Sequence, residues 1–358
     1  MTTVAPPTDA DFAALRPFYR AEIAAGIDRF VGPRRSTCPW CGSGRLHTRT
    51  RLPDLVQRKP GRFAFDECRT CGHVFQNPSL TPEGLAFYYR DFYDGLGAST
   101  TETFFSWQTE IYRSRARSVA PFCTPRRWLD IGTGYGHFCK DAKEVLPGTI
   151  FAGLDQGAAV EEGHRRGWLD QAHRGELAEL ATELTGRYDV ISMFHYLEHL
   201  SDPRAELDLV ARILAPGSYL LLELPDPACL IGRALGPLWT PCHTLQHLHL
   251  MPLRNLLSAL TARGLTPVRV QRREAHMPID ITCAVLALGQ WAGPDPRLPW
   301  LAEPNALARF RHRTVTRALP RAVRVAYAVD QKLAPVLRAT GTGNVYRVLA
   351  RRSEKGSG

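Results

Sequence analysis

Between about residues 105 and 290, short apolar runs alternate with amphipathic stretches. Runs at about 127–131, 150–155, 188–193, 218–224 and 267–272 have the length and apolar content of buried strands, and Pro203–Leu214 and Leu253–Arg263 carry apolar residues at helical spacing. Such alternation predicts a doubly wound α/β sheet. Upstream, Phe12, Leu15, Phe18, Tyr19, Ile23 and Ile27 recur at helical spacing and predict one or two amphipathic helices over Asp9–Phe30. A turn-rich stretch follows from Cys38 to about Asn77, then an aromatic helix-like segment, Pro82–Tyr93. Downstream, residues 300–339 read as a Pro-interrupted, Arg-rich helical region, and Asn344–Ala350 alternates like one more strand. The expected organisation is an N-terminal helical extension (1–34), a cysteine-paired segment with its aromatic linker (35–96), an α/β core (97–290), a basic helical cap or insertion (291–342) and a final strand of the core (343–353).

Composition removes several classes. At 358 residues, 44% hydrophobic and 22% charged, the chain is neither collagen-like, disordered nor a coiled coil. No apolar run approaches the roughly 20 residues of a membrane span, and Met1–Arg20 mixes Asp, Pro and Arg without an apolar signal core, so a cytoplasmic protein is expected. The net charge of +10 is concentrated at the end of the chain, where residues 301–358 hold 12 Lys and Arg against 3 Asp and Glu.

Four of the 9 cysteines form two pairs, Cys38-Pro-Trp-Cys41-Gly and Cys68-Arg-Thr-Cys71-Gly, with 26 residues between them. Each ends in a glycine that permits the tight knuckle through which two thiolates grip one ion, and four thiolates suit tetrahedral Zn²⁺. Redox or incidental cysteines are the competing reading. A catalytic zinc is disfavoured, because four protein thiolates leave no open position.

The apolar run Trp128-Leu129-Asp130-Ile131 leads into Gly132-Thr133-Gly134-Tyr135-Gly136 and a helix beginning near His137. Glycines there let the backbone approach a ligand closely. Nineteen residues past Gly136, Asp155 ends the next strand, where a carboxylate can accept both ribose hydroxyls of a nucleotide-like ligand. The dinucleotide fingerprint would need glycine at 137, which is histidine, and no G-x-x-x-x-G-K-[ST] phosphate loop is present. After the run Tyr188–Met193 comes Phe194-His195-Tyr196-Leu197-Glu198-His199-Leu200-Ser201-Asp202-Pro203. His195, Glu198 and His199 stand at i, i+3 and i+4, which on a helical turn is one face.

These motifs resemble the class I S-adenosylmethionine-dependent methyltransferases, and Leu197-Glu198-His199-x-x-Asp202-Pro203 resembles the L-E-H-x-x-D-P branch that includes ubiquinone-pathway O-methyltransferases and bacterial enzymes acting on sugars and secondary metabolites. Bacterial relatives with an N-terminal Cys-pair segment are similar through Asn77-Pro78 and Tyr88-Tyr89 as well. The resemblance implies a Rossmann-like seven-stranded methyltransferase sheet with an N-terminal zinc ribbon and a C-terminal helical insertion. It implies that Asp130 orients the methionine amino group of S-adenosylmethionine, that Gly132, Gly134 and Gly136 make room for it, and that Asp155 holds the ribose. Glu176 resembles the acidic element that meets the adenine, and Phe194 joins the cofactor set.

Methyl transfer to oxygen requires removal of a hydroxyl proton, so a positioned base counts. His199 is the expected base, with His195 or Glu198 orienting it or the substrate. The competing role is a second divalent-metal site at His195, Glu198 and His199; ubiquinone-type relatives carry a Glu-x-x-Glu-His set for Mg²⁺, and His195 in place of the first Glu favours a softer ion. Tyr88 and Tyr89 are candidates for the acceptor pocket, although an aromatic stripe also packs a core. His247 and His249 are candidates too, since they share a face if their segment is extended.

The basic end of the chain suits an acidic membrane face, nucleic acid or a phosphorylated carrier, and it is also what a solvated helix face looks like. The functional expectation is therefore a methyltransferase acting on a hydroxyl of a small molecule, anionic or carrier-linked, either a sugar unit or a secondary metabolite. Sugar C-methylation by the same histidine region is the alternative. A zinc-bearing rRNA methyltransferase is the further alternative; nucleic acid is disfavoured because no RNA-binding module is recognisable and Phe194-His195-Tyr196 stands where many amino-group methyltransferases carry [D/N]-P-P-[Y/W/F].

Overall fold

The computed structural model describes residues 5–354, so the first four residues of the expected N-terminal extension lie outside it. In chain order its strands are Leu46–Pro53 (β1), Arg62–Cys68 (β2), Val74–Gln76 (β3), Arg127–Ile131 (β4), Ile150–Asp155 (β5), Gln171–Arg174 (β6), Val190–Phe194 (β7), Tyr219–Pro225 (β8), His249–Leu250 (β9), Leu265–Gln271 (β10) and Val345–Arg352 (β11). The chain divides into two compact units. One runs to Phe104 and takes in Pro227–Leu250 and Met277–Ala339; the other comprises Phe105–Asp226, Met251–His276 and the chain from Thr340 onward.

The second unit is the α/β core. Its seven strands lie in the order β10-β11-β8-β7-β4-β5-β6. From β8 to β6 neighbouring strands are parallel, while β11 runs antiparallel to both of its neighbours. The chain moves outward from β4 through β5 to β6 and then returns to β7 beside β4, so the carboxyl ends of β4 and β7 form the topological switch point at which open α/β sheets bind ligands. Leu220, Leu221 and Leu222 are all buried, as a strand covered on both faces requires, whereas β10 alternates as an edge strand does. Trp128 packs against Phe138 and Phe151 and anchors β4 in the core.

The other unit is built on an antiparallel four-stranded sheet, β1-β2-β3-β9. Tyr19, Phe30, Phe63, Phe87, Tyr88 and Trp300 form an aromatic core, and Leu52, Phe65, Val74 and Trp239 belong to a second cluster. This arrangement corrects the linear division of the chain. Residues 227–250 and 277–290 fold with the cysteine-paired segment rather than with the α/β core, because β9 pairs with β3 and Trp239 donates its indole N–H to Asp280 at 3.0 Å. The extension, the cysteine-paired segment and the basic region are parts of one body. The basic region is also less interrupted than expected. Ala306–Thr340 is one continuous 35-residue helix that carries Pro320 and Pro335 on exposed positions. Among the described residues no helix is long and apolar enough to cross a membrane.

Candidate functional site

Gly132, Gly134 and Gly136 follow β4 with φ of +73°, +55° and +83°, a region in which other residues are strained. A Cβ on Gly132 would fall 2.5 Å from the Tyr196 ring and one on Gly136 2.8 Å from Leu169, so the loop is packed from behind. At Gly134 a Cβ would meet nothing within 4 Å, which leaves that side of the loop open to a ligand.

Asp155 at the end of β5 fixes this loop. One carboxylate oxygen accepts the Gly134 N–H at 2.9 Å and the other the Gly157 N–H at 2.8 Å. Burial raises its pKa against those two bonds. Each oxygen keeps a further lone pair, as a pair of vicinal hydroxyls would need. Asp130 sits deeper, within β4, and accepts from Ser192 Oγ at 2.6 Å, while Ser192 accepts the Trp128 indole N–H at 2.8 Å. Burial pushes the Asp130 carboxyl up to about 6, opposed by its hydrogen bonds with Ser192 and Thr133. A cationic amino group beside it would restore its ionisation. Glu176 N-caps the helix Leu177–Leu184 and accepts from the Gln156 amide at 3.3 Å. Phe194 ends β7, packed on Phe138 at 4.7 Å and beneath the Arg115 guanidinium at 4.3 Å.

The turn after β7 departs from the helical face expected for it. His195 is left-handed, with φ of +51°, and a single 3₁₀ turn, Leu197–His199, follows. Asp202 caps the next helix, its carboxylate accepting the Arg204 and Ala205 N–H groups at 3.0 Å, with Pro203 in the first turn. His199 is half-buried, its backbone N–H donating to Tyr196 O at 3.0 Å. The His195 ring sits between two buried carboxylates, Nδ1 at 3.1 Å from Glu198 and Nε2 at 3.5 Å from Glu223. Burial alone would lower its pKa, but the two carboxylates outweigh it and raise the ring to about 9. His195 is therefore an imidazolium at neutral pH. Protonated, it donates from both ring nitrogens toward these two carboxylates.

Sequence reasoning missed the residues that hold this charge. Arg115 donates to Glu223 Oε1 at 2.9 Å through Nε, and Arg347 donates to Glu223 Oε2 at 2.7 Å. Burial would raise the Glu223 carboxyl, yet Arg115 and Arg347 hold it well below the ordinary range. The available signal was a charge flanked by apolar residues in each of two strands, Leu222-Glu223-Leu224 and Tyr346-Arg347-Val348.

In the other unit the four cysteines converge, with Sγ atoms 3.7 Å apart for Cys38 and Cys71 and 3.6 Å for Cys41 and Cys68. A tetrahedral zinc with Zn–S near 2.3 Å places its sulfurs about 3.8 Å apart, so the set fits that ion. Gly42 and Gly72, at φ of +75° and +72°, close the two knuckles by donating to Cys38 O and Cys68 O. The acceptor-pocket candidates also lie in this unit. Tyr88 is buried in its aromatic core and donates to Pro60 O at 2.6 Å, while Tyr89 is half-buried. His247 meets Pro241 O at 3.1 Å, and His249 lies 3.0 Å from His73. The extended segment is short, since β9 holds only His249 and Leu250.

Residues 106–270 match the family described as a methyltransferase domain. Among curated proteins, the ubiquinone biosynthesis O-methyltransferase of Cronobacter sakazakii (strain ATCC BAA-894) is 30% identical over 108 residues, which is 27% of this chain and 42% of that one. Its counterpart in Bordetella avium (strain 197N) is 25% identical over 153 residues, 40% and 63% of the two chains. The chain thus spans about half the length of the curated relatives it matches. Among solved structures, phosphoethanolamine N-methyltransferase 2 of Haemonchus contortus is similar at 14% identity and a TM-score of 0.46, over 78% of this chain and 63% of that one. Likeness at that distance says nothing about the acceptor.

Proposed function

We propose that this chain, whose residues 106–270 match a methyltransferase domain, is a class I S-adenosylmethionine-dependent methyltransferase that methylates a hydroxyl of a small molecule, a sugar unit or a secondary metabolite, in the cytoplasm. The observation that carries the reading is the Asp155 clamp on Gly134 at the switch point, a cradle open on the ligand side. S-adenosylmethionine would supply an electrophilic methyl group on its sulfonium. Asp155 holds the ribose hydroxyls, Gly132, Gly134 and Gly136 admit the cofactor, Asp130 faces the amino group, and Glu176 and Phe194 border the adenine.

His199 accepts the proton of the acceptor hydroxyl. Glu198 is engaged by His195, whose protonated ring would favour an alkoxide as it forms. The four cysteines hold a structural zinc that stabilises the first unit, in keeping with a compartment where thiolates stay reduced. The test is methyl transfer from labelled S-adenosylmethionine to a panel of hydroxylated sugars and phenols, wild type beside His199→Gln. A loss of roughly 10²–10⁴-fold in kcat, with S-adenosylhomocysteine affinity unchanged, supports the base; an unaltered kcat contradicts it. Product carrying the methyl group on carbon would move the assignment to C-methylation by the same histidine.

A further inference from the structure

The helix Ala306–Thr340 presents a ridge that its own unit leaves uncovered. The face turned inward is the row His312, Val315, Leu319, Val323, Ala326 and Asp330, and that row packs against the helix Asp280–Ala292: Leu319 and Val315 close over Gly289 and Gly293, and Asp330 accepts the Ile281 and Thr282 N–H groups. At about 100° per residue the opposite face of the helix carries Arg313, Arg317, Arg321 and Arg324 together with Phe310 and Val325, and Val329 lies on its flank. All seven are exposed, Phe310 by 60% and Val325 by 65%. One outward face thus combines four guanidiniums with apolar side chains.

Val325 and Val329 also border an apolar groove of about 450 Å³ floored by Ile281, Val285, Ala322 and Ala326. Arg313, Arg317, Arg321 and Arg324 pair with no carboxylate among the described residues. The only acidic residue of the helix is Asp330, which is buried and turned inward.

We propose that this helix docks on an anionic lipid surface, the arginines at the phosphates and Phe310, Val325 and Val329 at the acyl boundary. Charge complementarity selects the occupant. A surface rich in lipid phosphates satisfies both kinds of side chain at once, with long guanidinium side chains reaching the headgroups while the apolar side chains leave water. A nucleic acid would satisfy the arginines and leave the apolar side chains exposed to solvent. A second copy of the chain brings no carboxylate on this helix face.

Co-sedimentation of the full-length, zinc-loaded protein with vesicles tests the proposal, using phosphatidylglycerol mixed in about equal parts with phosphatidylcholine against phosphatidylcholine alone. Wild type is expected to bind the anionic vesicles and not the neutral ones. Arg313→Glu/Arg317→Glu and Val325→Ser/Val329→Ser are each expected to weaken binding at least tenfold, with zinc content and circular dichroism unchanged. Both pairs lie outside the proposed cofactor and base residues, so S-adenosylhomocysteine affinity is expected to stay as in wild type. Absence of binding to anionic vesicles, or equal binding by the variants, overturns the proposal. So does a preference for single-stranded RNA over these vesicles, or concentration-dependent dimerisation lost in the Val325→Ser/Val329→Ser pair without any vesicle binding.

Discussion

Glu223 and Arg347 stand opposite each other in the antiparallel β8–β11 pair, and their side chains meet at 2.6 Å inside the sheet, both almost wholly buried. Arg115 closes on the other carboxylate oxygen, so one anion serves two buried guanidiniums and lies beside His195. Glu223→Gln keeps the shape and removes the charge, leaving two cations without their counter-ion. Breaking a buried pair in this way costs about 3–5 kcal/mol. Urea unfolding of the variant should show a loss of that order; a loss under about 1 kcal/mol would mean that water or relaxation already compensates the arginines.

His195 gives a pH signature. Its folded pKa of about 9 lies above the ordinary value of 6.5, so its stabilisation is fully present below about pH 6.5 and is lost as pH rises through 9. The difference in unfolding free energy between wild type and His195→Gln should therefore shrink by roughly 3 kcal/mol between pH 6.5 and 9.5. In Glu198→Gln the His195 ring resonances should titrate below 9, because the closer of its two carboxylates has lost its charge. A His195 ring that titrates near 6.5 in wild type would remove the imidazolium from the account.

Gly134 and Gly136 separate ligand space from packing. Gly134→Ala puts a methyl into the open side of the loop, at a backbone cost of about 1 kcal/mol. The fold should survive and S-adenosylhomocysteine affinity should fall at least tenfold. Gly136→Ala drives its Cβ into Leu169 at 2.8 Å, so thermal unfolding should show the larger loss there. The reverse order of stabilities would place the ligand elsewhere.

Metal analysis of the purified protein should return one zinc per chain. Cys68→Ser, at a buried ligand, should lower that content and the thermal stability together. Full stability without metal would assign the four thiols to another role.

Much of the core was legible because its strands are continuous apolar runs: β4, β5, β7, β8 and β10 fall within a few residues of their expected places. β6 was not seen, since Gln171-Ala-His-Arg174 is a polar edge strand with no apolar run. The composition of the other unit was also hidden. Its sheet closes through β9, two residues whose pairing with β3 spans some 175 positions, and no local pattern reports so distant a contact. Residue types and spacing singled out the glycine loop, Asp155 and the His195–His199 turn as candidates. They could not show the left-handed backbone at His195, nor that Glu223 of a neighbouring strand would help hold its charge.

The measurement closest to the central claim is a calorimetric titration of S-adenosylhomocysteine into the purified protein, wild type beside Asp155→Ala. One site per chain in wild type, weakened at least tenfold in the variant, is the predicted result. Absence of binding in wild type, or equal affinity in the two proteins, would contradict the cofactor site at Gly132–Gly136 and Asp155, and with it the methyl-transfer reading.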